Sequence, residues 1–107
     1  MGIGNTSSAA LLTARLCDIP VAEVTGVGTG LDAAGLARKK AILQQVLELH
    51  HTAQEPLDAL AAFGGLEIAT MTGAVLQAAA ERRVIVVDGF ITTAAVLVAS
   101  LLQPHVL

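Results

Sequence analysis

The sequence predicts an α/β fold in which a helix-rich segment belongs to a parallel-sheet domain that is incomplete within these residues. Apolar side chains recur at helical spacing through most of the 107 residues. Residues 84–87 (Val-Ile-Val-Val) are instead consecutive β-branched residues, which is typical of a strand buried on both faces. An Asp-Gly turn and a further apolar helix follow this run, so strand, turn and helix form half of a parallel crossover unit.

The first half of the chain is predicted to contain two helices joined by a loop. Polar side chains at 5–8 can accept hydrogen bonds from free helix amides and directly precede apolar residues, so a helix is expected over 9–16. The glycine-bearing run 25–30 predicts a loop. Asp32 then has the position of an N-cap, and apolar residues at helical spacing over 36–49 predict a long helix.

The second half is predicted to contain three helices and the single strand. Pro56 suits the first turn of a helix over 57–63, which two glycines end. Apolar and small residues continue through 66–83, where two final arginines favour the carbonyl end of a helix. After the strand at 84–87, the run 90–103 predicts the last helix.

A single parallel strand lacks a partner for its backbone. Its buried amides and carbonyls would have no neighbouring strand to pair them, which costs free energy. We therefore expect the missing strands to lie outside these residues, so that 1–107 is one segment of a larger domain, without an internal boundary. The glycine turn at 2–4, which enters a helix with nothing before it, agrees with this interpretation.

The composition argues against several classes of protein. Apolar residues make up 54% of the chain and charged residues 14%, which rules out intrinsic disorder. Six basic residues stand against nine acidic ones, and 2% of the chain is aromatic, so a nucleic-acid partner is not expected. The uncharged stretch 89–107 has a polar end and leaves too few apolar residues to span a membrane. We expect the excess apolar surface to belong to a larger core.

The cysteine and histidine side chains predict neither a disulfide nor a metal site. Cys17 is the single cysteine and has no cationic neighbour in sequence, so a buried apolar role is expected. His50 and His51 are adjacent and would point in different directions on a helix, and no metal or other cofactor is predicted. One cysteine and an N-terminus without a basic region fit a cytoplasmic protein.

Glycine-bearing turns at 1–6, at 25–30 and at Asp88-Gly89 each precede a helix. Glycine allows close backbone approach and helix N-termini present free amides, so these turns suit a phosphate, although ordinary turns and caps remain the alternative. Lys39 has two readings, a solvated helix face or a lysine that pairs with phosphate. Asp88 ends the predicted strand, at the edge where open sheets place ligands, or it caps the next helix.

Five motifs in a fixed order carry a resemblance to a known family. They are Met-Gly-Ile-Gly-Asn-Thr at 1–6, Thr-Gly-x-Gly-Thr-Gly-Leu-Asp at 25–32, Gly-Leu-Ala-Arg-Lys at 35–39, Gly-Gly-x-Glu-Ile-Ala at 64–69 and Val-Asp-Gly-Phe-Ile at 87–91. With this spacing, the chain resembles the nicotinate-nucleotide–dimethylbenzimidazole phosphoribosyltransferases over essentially its whole length.

The resemblance implies a fold and an activity. The fold is a large, doubly wound α/β domain with a parallel sheet, accompanied by a smaller helical domain, in proteins that are longer than this chain and usually form homodimers. The activity is phosphoribosyl transfer from nicotinate mononucleotide to 5,6-dimethylbenzimidazole, which gives α-ribazole 5′-phosphate and nicotinate for the lower ligand of cobalamin. No metal is required. The implied partners are these small molecules, with neither nucleic acid nor membrane.

The resemblance also implies which residues bind substrate. The first glycine loop would hold the nucleotide phosphate and ribose, the second would form a facing wall, and a lysine would pair with the phosphate. A glycine pair would approach the ligand, and the loop after the strand would lie beside the ribose phosphate. In chain order these residues are Gly2, Gly4, Asn5, Thr6, Gly26, Gly28, Lys39, Gly64, Gly65, Asp88, Gly89 and Thr92.

The catalytic base of the family has no counterpart among these residues. The resemblance places that glutamate in a region after 107, and the carboxylate that precedes the first glycine loop is also absent, so no catalytic residue is assigned to this chain. We expect the 107 residues alone to be inactive and to associate in isolation. Two alternatives are a related phosphoribosyltransferase with another aromatic acceptor base and a non-catalytic helical module for self-association.

Overall fold

The computed structural model describes residues 4–28 and 30–107, and helices dominate them. The predicted helices are confirmed, with small shifts at their ends. Their bounds are α1 Thr6–Cys17, α2 Val21–Val24, α3 Ala33–Leu49, α4 Pro56–Phe63, α5 Leu66–Ala80 and α6 Phe90–Leu102, with a short 3₁₀ turn at Pro104–Val106. Of these helices, α2 was not predicted, and it is a single turn just before the predicted loop.

The predicted start signals act as expected in two helices. The Asp32 carboxylate accepts a hydrogen bond from the Gly35 amide at 2.7 Å, so Asp32 caps α3. Pro56 occupies the first turn of α4. Asn5 lies at the N-cap position of α1, which begins at Thr6, inside the polar run that was expected to precede the helix.

The predicted strand at 84–87 is absent, and no strand occurs in the part of the chain that the structure describes. Val84 is 92% exposed and Val86 is 88% exposed, which contradicts the prediction that this run is buried on both faces. The physical reason is that a strand needs a neighbouring strand to pair its amides and carbonyls, and these residues supply none. The parallel sheet of the predicted α/β fold is therefore not seen in residues 4–28 and 30–107, which are mainly helical.

The core forms where α1 and α6 cross, and α5 and α4 pack around them. Small buried residues let the two central helices approach closely, with Ala9, Ala10 and Ala14 on α1 and Ala94, Ala95 and Ala99 on α6. Leu12, Phe63, Ile68 and Val98 fill the space between the helices. Among the described residues, no helix combines the length and the apolar character that crossing a bilayer would require.

Two further expectations are corrected, one about the end of α5 and one about the burial of Cys17. The fifth helix ends at Ala80, because Arg82 adopts a left-handed conformation (φ 56°) and the Arg83 amide donates back to the Ala78 carbonyl at 2.9 Å. The arginines therefore lie just beyond the helix. Cys17 is exposed rather than buried, because it is the last residue of α1 and faces away from the core.

Candidate functional site

Lys39 joins three segments of the chain. Its side chain leaves α3 and reaches the start of α1, where Nζ donates to Thr6 Oγ1 at 3.2 Å. Nζ also donates to the Gly26 carbonyl at 3.0 Å, in the loop before α3. An ammonium has three N–H donors, so one remains for a ligand. Lys39 is therefore half-buried, and two hydrogen bonds fix the position of its ammonium.

A cavity of about 190 Å³ opens beside the Lys39 ammonium. The start of α1 forms one wall, and the loop before α3 forms the wall that faces it. The lining residues are Gly4, Thr6, Ser7, Val27, Gly28, Leu31 and Lys39. The first amides of α1 have no partner within the helix and carry the positive end of its dipole. Together with the ammonium they favour an anion, and we name this cavity the anion pocket.

A second cavity, of about 330 Å³, adjoins the anion pocket and shares Ser7, Leu31 and Lys39 with it. Arg38 adds another cation to its wall, and apolar side chains of α3 form the remainder. Ser7 and Arg38 line this cavity and were not predicted from the sequence. Helical spacing could have indicated Arg38, since Gly35, Arg38 and Lys39 share one face of α3.

The structure brings together five of the residues expected to bind substrate. Gly4, Thr6, Gly28 and Lys39 line the anion pocket, and Gly26 supplies the carbonyl that holds the ammonium. Asn5 is buried next to them at the N-cap of α1, and Gly2 lies outside the described residues.

The glycine pair Gly64-Gly65 lies elsewhere, between α4 and α5. Both residues line an apolar cleft of about 280 Å³, together with Leu57 and Leu66. A Cβ on Gly64 would approach the Leu60 carbonyl oxygen to 2.7 Å, so close packing alone requires glycine there. The structure does not bring this pair into the anion pocket.

Asp88, Gly89 and Thr92 surround the start of α6. Gly89 is the N-cap, and its φ of 90° is a conformation that favours glycine. The Thr92 hydroxyl contacts Met71 Sδ of α5 at 3.9 Å. Asp88 is exposed and follows the unpaired run 84–87. None of the three lines the anion pocket.

Replacing Gly28 by alanine tests the facing wall of the anion pocket. The new Cβ would lie 3.5 Å from both Lys39 Nζ and Thr6 Oγ1, at a backbone φ of 60°. We expect Gly28→Ala to lower the free energy of unfolding by about 1 kcal/mol, because an L-residue is strained there, and to weaken binding of inorganic phosphate. Gly26→Ala is the matched control, since its Cβ meets no atom within 4 Å. If urea denaturation gives the two variants equal free energies of unfolding, and they bind phosphate with equal affinity, the expectation is contradicted.

Metal-binding side chains do not converge in residues 4–28 and 30–107. No group of three or more His, Cys, Asp or Glu residues there could hold a metal ion.

Comparison with known proteins identifies relatives over the whole chain. A phosphoribosyltransferase family model matches residues 1–107. Nicotinate-nucleotide–dimethylbenzimidazole phosphoribosyltransferase from Variovorax paradoxus is 72% identical over 99% of this chain and 30% of its own length. The protein of the same name from Ralstonia nicotianae is 62% identical over the same shares. This chain thus spans about 30% of the length of these curated relatives.

A solved structure agrees with these relatives. The crystal structure of CobT from Thermus thermophilus is similar, with a TM-score of 0.90 and 39% sequence identity, over 99% of this chain and 32% of that one. The chain therefore belongs to the phosphoribosyltransferase family whose relatives are named nicotinate-nucleotide–dimethylbenzimidazole phosphoribosyltransferase.

Proposed function

We propose that these residues are part of an enzyme that transfers phosphoribose from nicotinate mononucleotide to 5,6-dimethylbenzimidazole. The products are α-ribazole 5′-phosphate and free nicotinate, in the synthesis of the cobalamin lower ligand. The observation that carries the proposal is the Lys39 ammonium, held by Thr6 and Gly26 at a pocket formed by two glycine loops. The names and the identity of the relatives support the choice of substrates.

In this proposal the anion pocket binds the 5′-phosphate of the nucleotide. The remaining N–H of Lys39 and the first amides of α1 donate to phosphate oxygens, and such charge-assisted hydrogen bonds are stronger than neutral ones. Gly4 and Gly28 have positive φ values of 88° and 60°, which lets both loops curve around the anion without side chains. The pocket therefore binds and orients one end of the nucleotide, leaving the anomeric carbon to face the acceptor.

The chemical step then moves the sugar from one nitrogen to another. A ring nitrogen of the acceptor attacks the anomeric carbon with its lone pair, and the bond from that carbon to the nicotinate nitrogen breaks, so nicotinate leaves with those electrons. The acceptor loses its N–H proton to a general base. We assign no carboxylate of this chain to that base, which the family resemblance places in a region after residue 107.

The remaining predictions complete the proposed enzyme. Gly64 and Gly65 would approach the ligand, and Asp88, Gly89 and Thr92 would lie beside the ribose phosphate. The run 84–87 would be one strand of the parallel sheet in a doubly wound large domain, to which all of 1–107 belongs. The enzyme would be a cytoplasmic homodimer that uses no cofactor.

An acceptor comparison with the full-length protein tests the proposal. The protein is supplied with nicotinate mononucleotide and with dimethylbenzimidazole, adenine or a phenol, and products are identified by mass spectrometry. We expect α-ribazole 5′-phosphate as the main product, and none from the 107-residue chain alone. Preference for another acceptor would instead support the related phosphoribosyltransferase. No turnover, combined with a stable, cooperatively melting oligomer of the 107-residue chain, would favour the self-association module.

A further inference from the structure

Arg15, in the last turn of α1, binds the carbonyl end of α3 and the turn that follows it. Its Nη2 donates to the Leu47 carbonyl at 2.9 Å, and its Nη1 donates to the carbonyls of His50, at 3.0 Å, and Ala53. The last carbonyls of a helix have no partner within it and carry the negative end of its dipole. The planar, fixed donors of a guanidinium suit such a divergent set of acceptors.

The same guanidinium is held from α4. Arg15 Cζ lies 5.1 Å from the centre of the Phe63 ring, in a cation–π contact, and Phe63 is 4% exposed. The His50 ring packs edge-on against Phe63, with 5.9 Å between the ring centres. Arg15 therefore links the end of α3 to a buried side chain of the core as well as to α1.

Apart from α1, the third helix packs mainly against the single turn α2, and few of its own residues are buried. Of its 17 residues, all of which the structure describes, only Gly35 and Leu43 are buried. Val46 and Leu47 add partial packing near the C-terminal end. The N-terminal half of α3, which carries Lys39, thus depends on contacts at a small number of points.

Polar contacts join α1 and α3 at two places. Thr6, at the start of α1, meets Lys39 in the first half of α3, and Arg15 meets Leu47 near the end of each helix. Thr6 and Arg15 are about 13 Å apart along α1, and Lys39 and Leu47 are about 12 Å apart along α3, at roughly 1.5 Å per residue. The two contacts follow one another in the same order along both helices, so a shift of α3 at one contact is expected to change the other.

We propose that Arg15 positions Lys39, because its contact with the carbonyl end of α3 fixes how α3 lies against α1 and so places the Lys39 ammonium at the anion pocket. Arg15 acts from the far end of both helices and does not line the pocket itself. The proposal rests on the proposed function of that pocket as a phosphate site.

Acylation of lysine amines in the full-length protein tests this placement without any ligand. Lys40, the neighbour of Lys39 on α3, is the internal reference, and mass spectrometry reads both sites. In Arg15→Ala we expect labelling of Lys39 relative to Lys40 to rise about fivefold, since Lys39 loses hydrogen bonds that hold its ammonium. Arg15→Lys retains a charge and a donor and should give an intermediate ratio, and it decides the outcome if Arg15→Ala does not fold. An unchanged ratio in a folded variant would overturn the proposal.

Kinetics of the same variants separate positioning from stability. We expect KM for nicotinate mononucleotide to rise about tenfold in Arg15→Ala, because the displaced Lys39 ammonium binds the phosphate less well. KM for the acceptor should stay the same. The double variant Arg15→Ala/Lys39→Met should have the same KM for the nucleotide as Lys39→Met alone, because Arg15 acts through Lys39. Additive increases in KM would contradict the proposal. The control, Arg83→Ala, removes an exposed arginine paired with Glu81 and should change neither constant. If the unsubstituted protein does not turn over nicotinate mononucleotide, the proposed function is wrong. The ratio of Lys39 to Lys40 labelling, which needs no ligand, then still decides whether Arg15 positions Lys39.

Discussion

Replacing Lys39 by methionine is expected to weaken binding of nicotinate mononucleotide to the full-length protein by about 10- to 100-fold, since a hydrogen bond to a charged group contributes about 1.5–3 kcal/mol. Methionine keeps the length and apolar stem of the side chain and removes the ammonium that contacts Thr6 and Gly26. Titration calorimetry or KM for the nucleotide measures the change. The affinity should also fall with ionic strength in the unsubstituted protein, and less so in the variant.

Lys40→Met is the matched control for this substitution. Lys40 is the next residue on α3, but it lines neither the anion pocket nor the cavity beside it. The two variants carry the same net charge, so a long-range electrostatic effect would weaken binding equally in both. Equal loss of affinity in Lys39→Met and Lys40→Met would therefore show that Lys39 does not contact the phosphate.

Replacing Val84 and Val86 by lysine is expected to have opposite effects in the 107-residue chain and in the full-length protein. In the chain alone both side chains are exposed, so lysine removes apolar surface and should reduce self-association at no cost in stability. In the proposed full-length enzyme the run is a buried strand, where each unpaired charge costs several kcal/mol, and the protein should fail to fold. Sedimentation of the chain and urea melting of the full-length protein measure the two effects.

Val84→Thr/Val86→Thr is the control for the lysine pair. Threonine keeps the β-branched shape and strand preference without adding a charge, so the full-length protein should still fold, at reduced stability. A full-length Val84→Lys/Val86→Lys protein that melts like the threonine pair would mean that the run stays exposed and is not a strand of the proposed sheet.

Local rules were sufficient to predict the helices from the sequence, except for the single turn α2. The Asp32 cap and the Pro56 start depend on side chains within one turn of the helix they begin, and both are confirmed. The end of α5 was wrong by three residues, because the left-handed conformation of Arg82 has no sequence signal as strong as glycine. The run 84–87 was wrong as a strand within this chain, because strand formation depends on a partner that local sequence does not contain.

The candidate site was predictable only where its residues belong to sequence motifs. The family resemblance implied Thr6, Gly28 and Lys39, and these three residues line one cavity. It could not show that Gly26 acts through its carbonyl, because backbone contacts carry no residue signature. Arg15 was missed altogether, since its partners are carbonyls of residues more than 30 positions away and any sequence there would supply them.

The contacts of Lys39 also have a consequence for how the protein is made. The described lining of the anion pocket lies within the first 39 residues, and the ammonium reaches back 33 positions to Thr6 and 13 to Gly26. Closing loops of this length costs modest chain entropy. During translation the pocket can therefore close once α3 has left the ribosome, before the C-terminal helices have emerged.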